Sequence, residues 1–108
     1  MDGLERMERG GVTMVGGRAG AVAFGFTERT GGVSEPPFAS LNLGGHVGDD
    51  ATAVAENRRR VLAALGAGRA APNLLMPNQV HGDHIAIVRS SGAAELERVR
   101  AEIARGAD

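Results

Sequence analysis

Hydrophobic and polar positions change period several times along the chain, and each change marks an element. Up to about Gly11 the residues read as a polar lead-in. "VTMV" and then "AVAFGFT", Ala21 to Thr27, follow as short strands divided by the turn-forming "GGRAG". In the second of these, Val22, Phe24 and Phe26 alternate with Ala23 and Gly25, which leaves a small-residue face for close packing. From Glu28 to Asp50 the glycines and prolines predict a long loop, and a loop of that length inside a compact unit is either functional or disordered. Within it "SLNL" argues for order: Leu41 and Leu43 anchor one side while Ser40 and Asn42 face the other.

Helical spacing then takes over. Asp49 or Asp50 is placed to cap a helix through "ATAVAENRRRVLAALG", with Val54, Val61, Leu62 and Leu65 as its stripe, Gly66 as its stop and Arg58, Arg59 and Arg60 on the solvated side. "APNLLM" and "HIAIV" predict two more strands flanking "PNQVHGD", and "AAELERVRAEIARG" predicts a second amphipathic helix with Leu96, Val99 and Ile103 inward. This order of elements predicts a mixed α+β layer architecture over residues 1–108, with no separate second domain. The ending "RGAD" carries no cap or tail, and the chain reads as cut rather than finished.

Composition narrows the function classes. At 108 residues, 43% hydrophobic and 23% charged, the chain falls in the range of one soluble globular domain. A formal net charge of -1 gives no field for nucleic acid or an anionic membrane. No apolar run approaches the roughly 18 residues a membrane span needs, and with no cysteine the expected location is cytoplasmic. Strands without neighbours imply open sheet edges, through which the chain is expected to associate.

Three histidines carry the candidate chemistry. His81 in "QVHG" is placed as a metal ligand or general base, against the alternative of a surface turn histidine. Extended backbone would turn His84, three residues on, to the opposite face, so it reads as structural or exposed. His46 lies in "GGHVGDD", whose glycines could expose amides to an anion, although the aspartates read better as a helix cap. Arg29 in "FTERTGGVS" stands where a strand meets a Gly-Gly turn, which would present a guanidinium and amides to phosphate. No nucleophile triad can be assembled from Ser34 or Ser40.

Taken in order, "FTERTGGVSEPPFASLNLGGHVGDD", "ENRRRVLAALG" and "NQVHGD" resemble the N-terminal part of the laccase-domain family, also called the multicopper polyphenol oxidase family. The resemblance implies an α/β sandwich built on two sheets. It also implies zinc-dependent phosphorolysis of adenosine, inosine, guanosine and methylthioadenosine, with deamination of adenosine. His81 matches the first metal ligand of that family. The remaining ligands, a cysteine and a histidine from motifs of the form "ADCxP" and "HAGWRG", have no counterpart in this sequence, which implies a chain inactive alone. Ser40 and Asn42 match the pocket-lining "SLNLG" motif, and Arg29 matches the arginine of "FTxR". Two other readings stand beside this one: a catalytically dead structural or interaction module, and a copper-dependent polyphenol oxidase.

Overall fold

The computed structural model describes residues 4–76 and 82–106. It divides the chain into two compact units, Met1–Ala71 and Pro72–Asp108. The fold is α+β, with one three-stranded antiparallel sheet and two α-helices among the described residues.

In the first unit, β1 (Glu5–Arg9), β2 (Val12–Ala19) and β3 (Val22–Thr27) are ordered β1-β2-β3. Residues 5–9, expected as a polar lead-in, form an edge strand. Their run of charges hides the strand signal, and pairing with β2 overrides it. Only Met7 in this strand is half-buried, opposite Met14. Gly10 and Gly11, at φ 59° and 84°, form the two-residue connection to β2. A tight hairpin whose twist suits its strands needs positive φ at both positions.

β2 runs on through the first four residues of "GGRAG", and the expected turn is confined to Gly20, at φ 62°, and Ala21. Gly16 sits opposite Gly25, and a Cβ there would collide with the carbonyl of Phe24, so this glycine permits close strand approach. On the small-residue face of β3, Gly25 lies against Met14 and Leu65 as expected, while Ala23 is exposed. The bulky face of β3 stays open: Val22 and Phe26 are exposed, and the Phe24 and Phe26 rings meet edge-on at 6.5 Å.

Val12, Met14, Leu41 and Ala64 form the core of this unit, with Met7, Leu43, Val61 and Leu65 packed around them. Burying a side chain such as Met14 or Val12 stabilises by about 1.5–3 kcal/mol. The helix α1 (Ala51–Ala64) covers this core. Asp50, rather than Asp49, is its cap, accepting from the Thr52 amide at 3.1 Å. Gly66, at φ 76°, follows its last turn. The expected stripe is present in Val54, Val61, Leu62 and Leu65, but fully buried Asn57 lies within it.

The segment "APNLLM", expected as a strand, begins inside a 3-10 helix, Gly68–Asn73. Pro72 has no N–H to give a ladder, and the Ala70 amide bonds to Ala67 O at 2.9 Å in the short-range pattern of that helix.

The second unit is built on α2 (Ala93–Ala104), whose Leu96, Val99 and Ile103 are buried as the spacing predicts. Leu75 and Ala86 pack against Val99 and Ile103. "HIAIV" forms no strand: among the described residues no backbone pairs with it. Side chains of α2 bond its neighbourhood instead, with Arg98 donating to Ile87 O at 2.9 Å and Glu95 accepting from the Arg89 amide at 2.8 Å. Among the described residues no helix is long and apolar enough to cross a membrane.

Candidate functional site

The loop between β3 and α1 has no regular secondary structure, yet its own side chains and those of α1 bond many of its polar groups. It leaves the sheet as the Glu28 amide donates to Thr13 O at 2.9 Å. Arg29 comes next, and its Nε and Nη2 donate to Ala39 O at 3.3 and 3.2 Å. In return, Arg29 O accepts from the amides of Ser40 and Leu41, each at 2.9 Å. Arg29 and the segment 39–41 thus hold each other across ten residues. Buried Leu41 and half-buried Leu43 anchor the loop to the core, as the "SLNL" pattern predicts.

Ser40 and Asn42 direct their polar atoms into the loop. Ser40 Oγ accepts from the Gly32 amide at 3.1 Å, so that amide is committed within the protein. Asn42 closes a small turn, accepting from the Gly44 amide at 3.1 Å and donating to Gly44 O at 3.2 Å and to Asp49 Oδ2 at 3.1 Å. Asp49 also accepts from Ser34 Oγ and, at 2.8 Å, from the Asp50 amide. The Ser34 hydroxyl foremost, then the Asn42 amide and the Asp50 N–H, hold the Asp49 carboxyl below its ordinary value, with partial desolvation opposing them.

Helix α1 supplies the rest of the network. Asn57, at 0% exposure, accepts from the Val33 amide through Oδ1 at 2.8 Å. Its Nδ2 donates to Ser34 Oγ and to Asn42 O, both at 2.8 Å. Sequence reasoning missed this residue. The available signal was its position, three after Val54 and four before Val61, where the stripe calls for an apolar side chain and the chain has an amide.

The arginines of α1 also depart from expectation, because their solvated face is partly a clamp. Arg58 Nε donates to Leu43 O at 2.9 Å, and Arg60 Nη1 donates to Gly31 O at 3.0 Å. Both are half-buried, their stems lying along the protein while the guanidiniums reach loop carbonyls. Glu56 accepts from Arg59 and Arg60 at 2.7 Å, Arg59 being the larger influence, and its carboxyl is lowered to about 2.

An open depression of about 510 Å³ lies over this loop, lined by Arg29, Pro37, Phe38, Ala39, Leu41, Asn42 and Val47. The structure therefore brings Arg29 and Asn42 to one surface, with Ser40 supporting it from outside the lining. Another hollow, of about 300 Å³, lies over Gly16 and Leu65, and none of the candidate site residues Arg29, Ser40 and Asn42 lines it. His46 is exposed and outside the depression. His84 is half-exposed at the side chain and pairs through Nε2 with Glu102 at 2.8 Å, which is the main reason the Glu102 carboxyl is lowered. His81 lies outside the described residues, as do Asn78 and Gln79 of the same motif. Among the described residues no group of three or more His, Asp or Glu side chains could hold a metal ion, so these residues by themselves do not fit one.

This order of motifs on an α+β scaffold defines a family. The chain belongs to the multi-copper polyphenol oxidoreductase laccase family, which matches residues 23–108. It is 46% identical over 78 residues to a purine nucleoside phosphorylase of Streptomyces griseus, covering 72% of this chain and 31% of that protein. A purine nucleoside phosphorylase of Mycobacterium bovis is 53% identical over 62 residues, covering 57% of this chain and 24% of its own length. One from Geobacillus stearothermophilus is 65% identical over 43 residues, covering 40% of this chain and 15% of its own length. The chain thus spans about a third or less of these relatives. No solved structure matches it.

Proposed function

We propose that the chain contributes the phosphate-facing loop of a cytoplasmic purine nucleoside phosphorylase acting on adenosine, inosine, guanosine or methylthioadenosine. The reading rests on Arg29. Two of its nitrogens are held by one carbonyl at the edge of a depression of about 510 Å³, and its Nη1 edge has no hydrogen bond among the described residues. That volume is within the roughly 300–1,000 Å³ usual for small-molecule sites. A fixed guanidinium there suits a phosphate oxyanion, because its planar fork can offer parallel donors to two oxygens.

In phosphorolysis a phosphate oxygen forms a bond to the ribose anomeric carbon as the bond to the purine nitrogen breaks. The base leaves with that electron pair and takes up a proton, giving ribose 1-phosphate and free base. Arg29 holds the phosphate and offsets its charge, Asn42 lines the wall, and Ser40 keeps the backbone of 32 and 40 in register. Zinc, with His81 among its ligands, and deamination of adenosine complete the reading through the family resemblance.

Inorganic phosphate titrated onto the purified chain and followed by phosphorus NMR tests the central claim. Arg29→Gln is expected to weaken binding by about tenfold or more, the equivalent of one charge-assisted contact. Equal binding by the parent chain and Arg29→Gln overturns the role of Arg29. Zinc content in His81→Ala, unchanged from the parent chain, removes His81 from the ligand set.

A further inference from the structure

We infer that Asn57 is a positioning residue for this site, setting the Arg29 edge of the depression from the buried face of α1. The inference rests on the reading of Arg29 as the phosphate group's partner. Among the described side chains of α1, only Asn57 bonds both limbs of the loop: the Val33 amide and Ser34 Oγ on the first, and Asn42 O on the second. Between those limbs runs the segment bearing Ala39, whose carbonyl grips the Arg29 guanidinium, and Ser40 and Leu41, whose amides grip the Arg29 carbonyl. Fixing the two ends of that segment fixes where Arg29 points.

The local packing leaves little room for another arrangement. A Cβ at Gly32 would collide with Asn57 Oδ1 and with the Ser40 carbonyl, so the first limb is pressed directly onto the helix. An amide in the apolar stripe is tolerable only because all three of its bonds are made, since a buried polar group without partners is strongly destabilising. Leucine would fill the position and satisfy none of the loop. The residue needs both a donor and an acceptor, which a carboxylate of the same size does not supply. Asn57 does not line the depression, and it acts through Asn42 and Arg29.

The test uses the whole chain with Asn57→Asp, inorganic phosphate as the probe, and amide exchange as a second readout. At neutral pH the variant keeps an acceptor for Val33 but turns lone pairs toward Ser34 Oγ and Asn42 O. Phosphate binding is expected to weaken about tenfold, and the Ser40 and Leu41 amides to exchange faster while α1 amides stay protected. Lowering the pH to about 5 should restore part of the affinity relative to the parent chain at the same pH, because a protonated carboxyl donates once again. A merely space-filling role predicts no such recovery. If Asn57→Asp binds phosphate as the parent does while Arg29→Gln does not, the inference is overturned. If Arg29→Gln binds normally, the phosphate reading fails and exchange alone decides: retained Ser40 and Leu41 protection in Asn57→Asp overturns the positioning role, and its loss with α1 intact upholds it. Should Asn57→Asp not fold, Ser34→Ala removes one partner from the loop side. A weakening in the same direction supports the inference, and parent-like behaviour in both readouts overturns it.

Discussion

Two irregular stretches, 28–50 and 82–92, are ordered by opposite means. Both lack strands and helices, and each belongs to a unit with one α-helix. The first is tied from within: Asn57 at 0% exposure reaches three loop groups, Asp49 joins Ser34 to Asn42, and Arg58 and Arg60 hold two carbonyls. The second is tied from outside, by Glu95, Arg98 and Glu102 along α2, where the Arg98 side chain is 45% exposed. Every bond in the second set is exposed to water, whereas those of the first are buried or partly buried. A loop without regular structure can therefore be as fixed as a strand when a helix supplies buried partners for its backbone.

The largest break in this contrast comes from Asn57→Ala. It leaves the Val33 N–H and the Asn42 carbonyl without their partner and opens a void beneath the loop, so the chain should lose about 3 kcal/mol of stability. Urea unfolding of the first unit measures it. A loss below about 0.5 kcal/mol would show that the loop bonds freely to water in place of Asn57, and the distinction between the two stretches would collapse.

Much of the scaffold was legible because it follows periodicity. The stripe of α2 named Leu96, Val99 and Ile103, and the alternation in β3 named the face that packs on Met14. β1 was illegible because "ERMER" offers five residues with one apolar side chain, and only β2 makes it a strand. Asn57, Arg58 and Arg60 were illegible for a different reason. Their loop partners lie 15 to 29 residues away in the chain, so no local pattern encodes the bond. Arg29, Ser40 and Asn42 were singled out by their match to family motifs; Arg29 and Asn42 line one depression, and Ser40 lies outside its lining. The interior role of Asp49 was hidden behind its neighbour Asp50, because either aspartate satisfies the same capping pattern.

Acid should separate the two stretches by residue. The Asp49 carboxyl lies below its ordinary value of 3.8 when folded, chiefly through Ser34. A depressed carboxyl stabilises fully above its unfolded value, and that contribution is lost as pH falls through the folded one. Exchange at the Gly44 and Asp50 amides, corrected for intrinsic rate, should therefore be flat above about pH 5 and rise progressively below the ordinary carboxylate range. In Asp49→Asn this rise should vanish. Glu95, lowered from 4.5 to about 2 by Arg98 first and the Arg89 amide second, should keep Arg89 protected until the pH falls to about 2. An acid step in the first loop that survives Asp49→Asn would assign it to another group.

The smallest effect expected is that of Arg98→Gln, and it tests whether the outer ties order 82–92 at all. The substitution removes the guanidinium bonds to Ile87 O, Glu95 and Glu102 together, yet it leaves Ala86 against Val99 and Ile103. Exposed ion pairs contribute little because water and salt screen them and long side chains must be held in place. Exchange at Arg89 should rise by roughly 2–5-fold, with Leu96, Val99 and Ile103 unchanged, since apolar burial rather than charge holds that face of α2. No rise would mean that the Ala86 contact and the Glu95 bond to the Arg89 amide suffice. A rise as large as that of the first loop in Asn57→Ala would mean that solvent-facing charges can order a stretch of backbone as firmly as a buried amide does.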